Sequence, residues 1–232
     1  MLFFFVFDCG CLGPSTSGVS VAEQSEIVNK HNEFRRSVQP PASNMLKMSW
    51  NSEAAANAQA WADQCIMDHK VQTISISTSI TVDLNKCGEN VASSGNRISW
   101  SEVIQGWYNE AKDWRYGVGS INGKTVGHFT QVVWYNSHEI GCGMAYCPNS
   151  ENLYHYVCQY CPPGNYQHTQ PYKSGTPCGD CPKACSDNLC TNACPYMDTY
   201  NVCPDLKREW SCDDSDVASW CPASCQCPSD II

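Results

Sequence analysis

The sequence predicts an α+β fold followed by a small, disulfide-stapled helical module, on three observations. Stretches with helical periodicity come first and stretches with β character come last, joined by short connections, which argues for layered α+β packing rather than alternating βαβ units. Eighteen cysteines are spread unevenly through 232 residues: two near the start, six from Cys65 to Cys161, and ten between Cys178 and Cys227. The stretch holding those ten is too poor in aliphatic residues to close a core without covalent staples, so it reads as a separate module made in an oxidising compartment, hence secreted.

Residues 1–20 open with Met1-Leu2-Phe3-Phe4-Phe5-Val6-Phe7, like the apolar heart of a signal peptide. No basic residue precedes that run, Asp8 interrupts it, and Cys9 and Cys11 follow. The segment reads as a degenerate leader, and the sixteen cysteines beyond it form an even set that fits its removal. Over 22–38, Ile27, His31, Phe34 and Val38 share one stripe of an amphipathic helix that Pro40-Pro41 brings to an end. After an extended piece with Met45, Leu46, Met48 and Trp50, the Ala-rich run 52–68 predicts a second helix. Its buried face would carry Ala55, Ala58, Ala62, Cys65, Ile66 and His69. Lys70 to Lys86 is Ser/Thr-rich and β-branched without helical period, a long loop or an irregular hairpin. Cys87-Gly88-Glu89-Asn90 then holds a carboxylate beside a cysteine and a glycine. Ser99 to Trp114 has the clearest helical pattern, with Ser99 and Glu102 as a capping box and Trp100, Val103, Ile104, Trp107, Tyr108 and Ala111 on its apolar face. Glu110, three residues after Trp107, flanks that face and could point into a cleft.

Gly127-His128-Phe129-Thr130-Gln131-Val132-Val133-Trp134-Tyr135-Asn136-Ser137 alternates β-formers. Read with period two, it is a half-buried strand with His128, Thr130, Val132 and Trp134 on one face and Phe129, Gln131 and Val133 on the other. This places a metal-capable imidazole at the edge of the core. Two further strands follow, from His138-Glu139 through Tyr146 and from Leu153 to Tyr160, while His138 and His155 show no partner pattern. Pro162-Pro163-Gly164-Asn165 closes a first domain over 22–166. Gln167 to Pro177 is a polar linker with little to pack, and with Cys178, Cys181, Cys185 and Cys190 it makes a linker and disulfide-rich hinge over 167–193. Zinc is the rival to disulfides for this Cys-x-x-Cys patch. The last six cysteines, over 194–227, frame two short helices, Pro204 to Trp210 and Asp213 to Trp220, the second opened by acids that suit a helix N-terminus.

Formal net charge is −9, and no basic stripe exists to displace phosphate counterions, which excludes a nucleic-acid binder. The acidity concentrates at the end: over 194–232, seven Asp/Glu face only Lys207 and Arg208. No apolar run is long enough to span a bilayer as a helix, and no Asn-x-Ser/Thr acceptor occurs.

The segments Gly127 to Ser137 and His155-Tyr156-Val157-Cys158-Gln159-Tyr160-Cys161-Pro162-Pro163-Gly164-Asn165-Tyr166 resemble the two signatures of the CAP superfamily. The sixteen-cysteine layout resembles its cysteine-rich secretory branch, and Glu26 to Met48 is similar to the mammalian members. The resemblance spans about residues 22 to 232. It implies a three-layer α/β/α sandwich, then a hinge, then a module similar to potassium-channel toxins of sea anemones. It also implies the pairs Cys65–Cys147, Cys87–Cys161, Cys142–Cys158, Cys178–Cys185, Cys181–Cys190, Cys194–Cys227, Cys203–Cys221 and Cys212–Cys225, among which spacing alone does not choose. The family's cleft tetrad falls on His69, Glu89, Glu110 and His128. Two imidazoles and two carboxylates are a sensible divalent-cation set, with zinc held modestly by His69 and His128 and with Glu89 and Glu110 as weak or supporting ligands.

The function expected on this resemblance is that of a secreted, non-enzymatic modulator of an ion channel or of a cell-surface or secreted protein partner. Its setting would be sperm maturation, gamete interaction, or exocrine and immune secretions. Ser99 to Glu110 is similar to a segment implicated in egg-surface binding in sperm-associated members; core packing alone also accounts for its apolar residues. Direct plugging of a cation channel is disfavoured, because Asp213 to Trp220 carries three aspartates and no lysine where toxins of that fold present a lysine. Trp210 and Trp220 are the contacts expected instead. Two alternatives belong to other classes: hydrolysis at the tetrad by zinc-activated water with Glu89 or Glu110 as base, which lacks a His-Glu-x-x-His helix and a third firm ligand, and sterol or lipid carriage by the first domain.

Overall fold

The computed structural model describes residues 18–66, 87–200 and 202–232. His69, the Lys70 to Lys86 stretch and residues 1–17 of the leader segment lie outside the described residues. Ser20 is already part of the fold, capping α1 (Val21–Arg36) through a reciprocal box with Glu23.

Four strands make the central sheet, in the order β1 (Ser49–Trp50), β5 (Glu139–Tyr146), β6 (Tyr154–Cys161), β2 (Gly88–Ser94). β1 runs parallel to β5, and the other pairings are antiparallel. Alternation along the strands sorts the two faces. Ile140, Cys142, Tyr156, Cys158 and Tyr160 join the main core with Ile27 and Phe34 of α1, and with Val103, Ile104 and Trp107 of α3 (Trp100–Tyr108). Val157 and Ala145 face the other way, against Ala58 and Ala62 of α2 (Ser52–Ala62). The result is helix, sheet, helix: three layers, as the resemblance implies. α2 lies so close that a Cβ on Gly141 would collide with the backbone of Ala54 and Ala55, and one on Gly143 with that of Ala58 and Gln59. Two glycines alternating on one strand are therefore what lets this layer form.

Three expectations need correction. α2 ends at Ala62 rather than continuing to residue 68, and Ile66 is exposed instead of lying on a buried face. The chain leaves the helix through Cys65, which has positive φ and is bonded to Cys147, so the disulfide sets the exit direction. α3 stops at Tyr108 and passes into a 3-10 turn, Asn109–Asp113, followed by the small hairpin β3 (Trp114–Arg115) and β4 (Gly119–Ser120). Most important, the alternating stretch at 127 is not a strand. Gly127–Val132 is a short helix, α4. Phe129, Val132 and Val133 are all buried, and their i, i+3, i+4 spacing satisfies a helix as well as alternation satisfies a strand.

The linker also packs more than its polarity suggests. Tyr172 is buried in the main core, and Ser43 N donates to Lys173 O at 2.9 Å. β7 (Cys185–Ser186) and β8 (Leu189–Cys190) form a hairpin whose end pairs with the first domain through a Leu46–Cys190 bridge. In the C-terminal module α5 (Cys203–Trp210), α6 (Ser215–Trp220) and α7 (Pro222–Gln226) enclose two small clusters, Cys203, Val217 and Cys221 in one and Cys194, Ala223 and Cys227 in the other. Disulfides join Cys194 to Cys227, Cys203 to Cys221 and Cys212 to Cys225 there. They join Cys178 to Cys185 and Cys181 to Cys190 in the hinge, and Cys87 to Cys161 and Cys142 to Cys158 in the first domain. The sulfurs of Cys178, Cys181 and Cys190 gather closely enough for a metal, but each is committed to a disulfide.

Candidate functional site

His128 stands at the start of α4, and the 3-10 turn carries Glu110 to it. Glu110 Oε1 meets His128 Nδ1 at 2.8 Å. Its other oxygen accepts from the backbone N–H of His128 at 3.0 Å and of Phe129 at 3.1 Å. One carboxylate thus satisfies donors that open the helix and orients the ring. At the far end of α4 the buried Arg35 guanidinium donates to Val132 O at 3.1 Å and Trp134 O at 2.7 Å, and also reaches Leu46 O and Tyr135 O. Acid at the N-terminus and base at the C-terminus both match the helix dipole. That is why a six-residue helix built of β-formers is stable here. Burial pushes the Arg35 guanidinium down to about 9, which leaves it charged at neutral pH.

A carboxylate accepts, so His128 Nδ1 is the donor toward Glu110, and the tautomer that this contact selects has its lone pair on Nε2. The side chain of His128 retains about a third of its surface, 34%, against 19% for Glu110. Trp107 lies against the imidazole, ring centroids 6.3 Å apart. This is an oriented, partly exposed, metal-competent imidazole backed by a carboxylate.

Glu89 is half-buried on β2, opposite Gln159 in the register. Its neighbour Asn90 donates to His128 O at 3.1 Å. Of the four tetrad positions, then, the structure brings Glu110 and His128 into contact and sets Glu89 one residue from a group that holds His128. His69 lies outside the described residues. Pattern reading missed Asn90, Tyr160, His31 and Arg35, which anchor this corner from below. The only local hint was Asn90 following Gly88-Glu89. His138 and His155, without a pattern in the sequence, are also away from the pair: His138 Nδ1 meets Asn136 O, and His155 is buried on β6.

In the C-terminal module the two tryptophans of interest are open to solvent, Trp210 at 58% and Trp220 at 36% exposure. Trp220 meets Tyr200 edge to face, centroids 6.0 Å apart. Between this module and the first domain lies a cavity of about 310 Å³, walled by Trp134 and Tyr166 on one side and by Tyr196, Met197 and Tyr200 on the other.

Comparison with known proteins gives a consistent picture. The profile described as "CAP: Cysteine-rich secretory protein family" matches residues 28–160, and the one described as "Crisp" matches residues 178–232. The chain is 52% identical over 212 residues to the Homo sapiens protein named Cysteine-rich secretory protein 3, covering 90% of this chain and 84% of that one. Among solved structures, NaASP2 "with Zn2+" superposes with a TM-score of 0.61 at 26% identity, over 77% of this chain and all of that one. BmVAL-1 superposes with a TM-score of 0.59 at 27% identity, over 81% of this chain and 98% of that one.

Proposed function

The chain belongs to the cysteine-rich secretory protein family, and on that premise we propose that it is a secreted, non-enzymatic binding protein that modulates an ion channel or another cell-surface or secreted protein. The setting we propose is reproductive, exocrine or immune secretions. The observation that carries the reading is the exposed aromatics of the C-terminal module, Trp210 and the contacting pair Trp220 and Tyr200, on a disulfide-fixed frame. Large exposed aromatics on a small rigid body mark contact sites, and Trp is the residue most enriched among those that dominate binding energy. The seven acids of 194–232 against two bases favour contact at a channel rim over entry into a cation pore. In whole-cell recordings of potassium currents with the full chain, Trp210→Ala and Trp220→Ala should each abolish modulation. Unchanged modulation by both would overturn this reading.

A second reading, compatible with the first, is favoured by the Glu110–His128 geometry. We propose that the cleft holds zinc through His128 and His69, with Glu110 orienting His128 and Glu89 beside it. The solved structure of NaASP2 that this chain resembles is one with Zn2+. A bound zinc ion would supply Lewis acidity and fixed positive charge at the cleft. Calorimetric titration of Zn2+ into the protein should show one site, lost in His128→Ala and weakened about tenfold or more in Glu110→Gln, since partners that orient a ligand typically contribute 10–100-fold to affinity.

A further inference from the structure

Beneath His128 runs a chain of buried polar groups that the apolar core does not need for packing. His31 of α1 and Tyr160 of β6 are fully buried, and Asn90 of β2 is nearly so. His31 Nδ1 lies 2.8 Å from Ile27 O, His31 Nε2 lies 2.9 Å from Tyr160 Oη, and Asn90 Nδ2 lies 3.2 Å from the same oxygen and 3.1 Å from His128 O.

The direction of every proton in this chain follows from its first member. A carbonyl accepts only, so His31 Nδ1 must donate to Ile27 O. Burial keeps the ring neutral, so Nε2 is an acceptor and the Tyr160 hydroxyl donates to it. The Tyr160 oxygen then has lone pairs only, which obliges Asn90 to turn its amide N–H groups toward it. The second N–H of Asn90 is thereby aimed at His128 O. A helix terminus of six residues has little intrinsic stability. A donor fixed from the core at the carbonyl of His128, with Glu110 accepting from its N–H, restrains the backbone of that residue on both sides.

We propose that Asn90 and Tyr160 are positioning residues for the metal ligand: they hold the backbone of His128 so that Nδ1 meets Glu110 and Nε2 faces the cleft. The inference rests on the zinc reading for its purpose but not for its geometry. Tyr160→Phe removes the hydroxyl that orients Asn90 while keeping the ring. Tyr156→Phe is the matched control. It lies four residues away on the same face of β6, is also buried, and loses a hydroxyl bonded to Ile98 instead.

The experiment has two readouts. In zinc titrations, Tyr160→Phe should weaken affinity about tenfold, with Tyr156→Phe left within about twofold. In metal-free protein, long-range nitrogen–proton NMR should show His128 held as the Nδ1–H tautomer in the wild type and in Tyr156→Phe, and as a tautomer mixture in Tyr160→Phe. Asn90→Ala should behave as Tyr160→Phe. Wild-type protein that binds no zinc would overturn the zinc reading, and the NMR readout would still decide the positioning role. A His128 tautomer that stays locked in both Tyr160→Phe and Asn90→Ala would overturn the positioning role, whatever the zinc affinity. So would equal effects of the two tyrosine variants.

Discussion

The two ends of this molecule solve the problem of stability by different means. The first domain buries Ile27, Phe34, Trp100, Ile104, Trp107, Val132, Ile140 and Tyr156 in one core, so its disulfides reinforce a body that packing already defines. The C-terminal module encloses two small clusters, Cys203, Val217 and Cys221 in one and Cys194, Ala223 and Cys227 in the other, and apolar burial on that scale falls far short of the chain entropy lost on folding. Its shape is covalent. Two disulfides make the contrast measurable, because Cys142–Cys158 and Cys203–Cys221 close loops of nearly equal length, 16 and 18 residues. The loop-closure contribution is therefore alike, about 3 kcal/mol each. Any difference in outcome reports the core.

The largest effect is expected from that pair. Replacing Cys203 and Cys221 by Ser should leave 194–232 without protected amides in hydrogen exchange. Replacing Cys142 and Cys158 by Ala should lower stability by about 3 kcal/mol, with the first domain still cooperatively folded. Equal loss of structure in the two would break the comparison. Next comes Gly143→Val, which drives a side chain into the α2 backbone and should destabilise the first domain by about 3 kcal/mol or more, with hydrogen exchange in the module unchanged. The smallest effect is set by pH. Burial holds the His31 imidazole down at about 3 when folded, below its ordinary 6.5. The unfolded chain takes up that proton first, so stability is intact above pH 6.5 and is lost as pH falls from there toward 3. The slope is about 1.4 kcal/mol per unit, or roughly 2 kcal/mol by pH 5. Denaturant titrations of the first domain should show this, and His31→Gln should flatten it. The module contains no histidine, so its own transition should not move between pH 6.5 and 5.

The sequence disclosed what is encoded locally. α1 and α3 carry their buried stripes and capping boxes within one stretch of chain, and β5 and β6 are short runs of β-forming residues bounded by turns, so each was readable locally. α4 was not, because Phe129, Val132 and Val133 fit either period and the deciding groups are Glu110, 18 residues before His128, and Arg35, 97 residues before Val132. Tyr172 looked like part of a polar linker because a single aromatic among polar residues gives no periodic signal. The tetrad positions came from family resemblance, not from spacing. The buried chain from His31 to Asn90 came from neither, since its members touch across 129 and 70 positions.

The packed hinge has a mechanical consequence. Lys47 N bonds Cys190 O, Cys190 N bonds Met45 O, and Leu46 N bonds Tyr135 O, whose carbonyl also takes an N–H of Arg35. At the other end of the module Tyr135 Oη donates to Ile232 O at 2.7 Å. A load applied to the tail therefore meets a clamped arm and not a swivel. A partner that grips both bodies finds them already in register, and little orientational freedom is surrendered when the second contact closes.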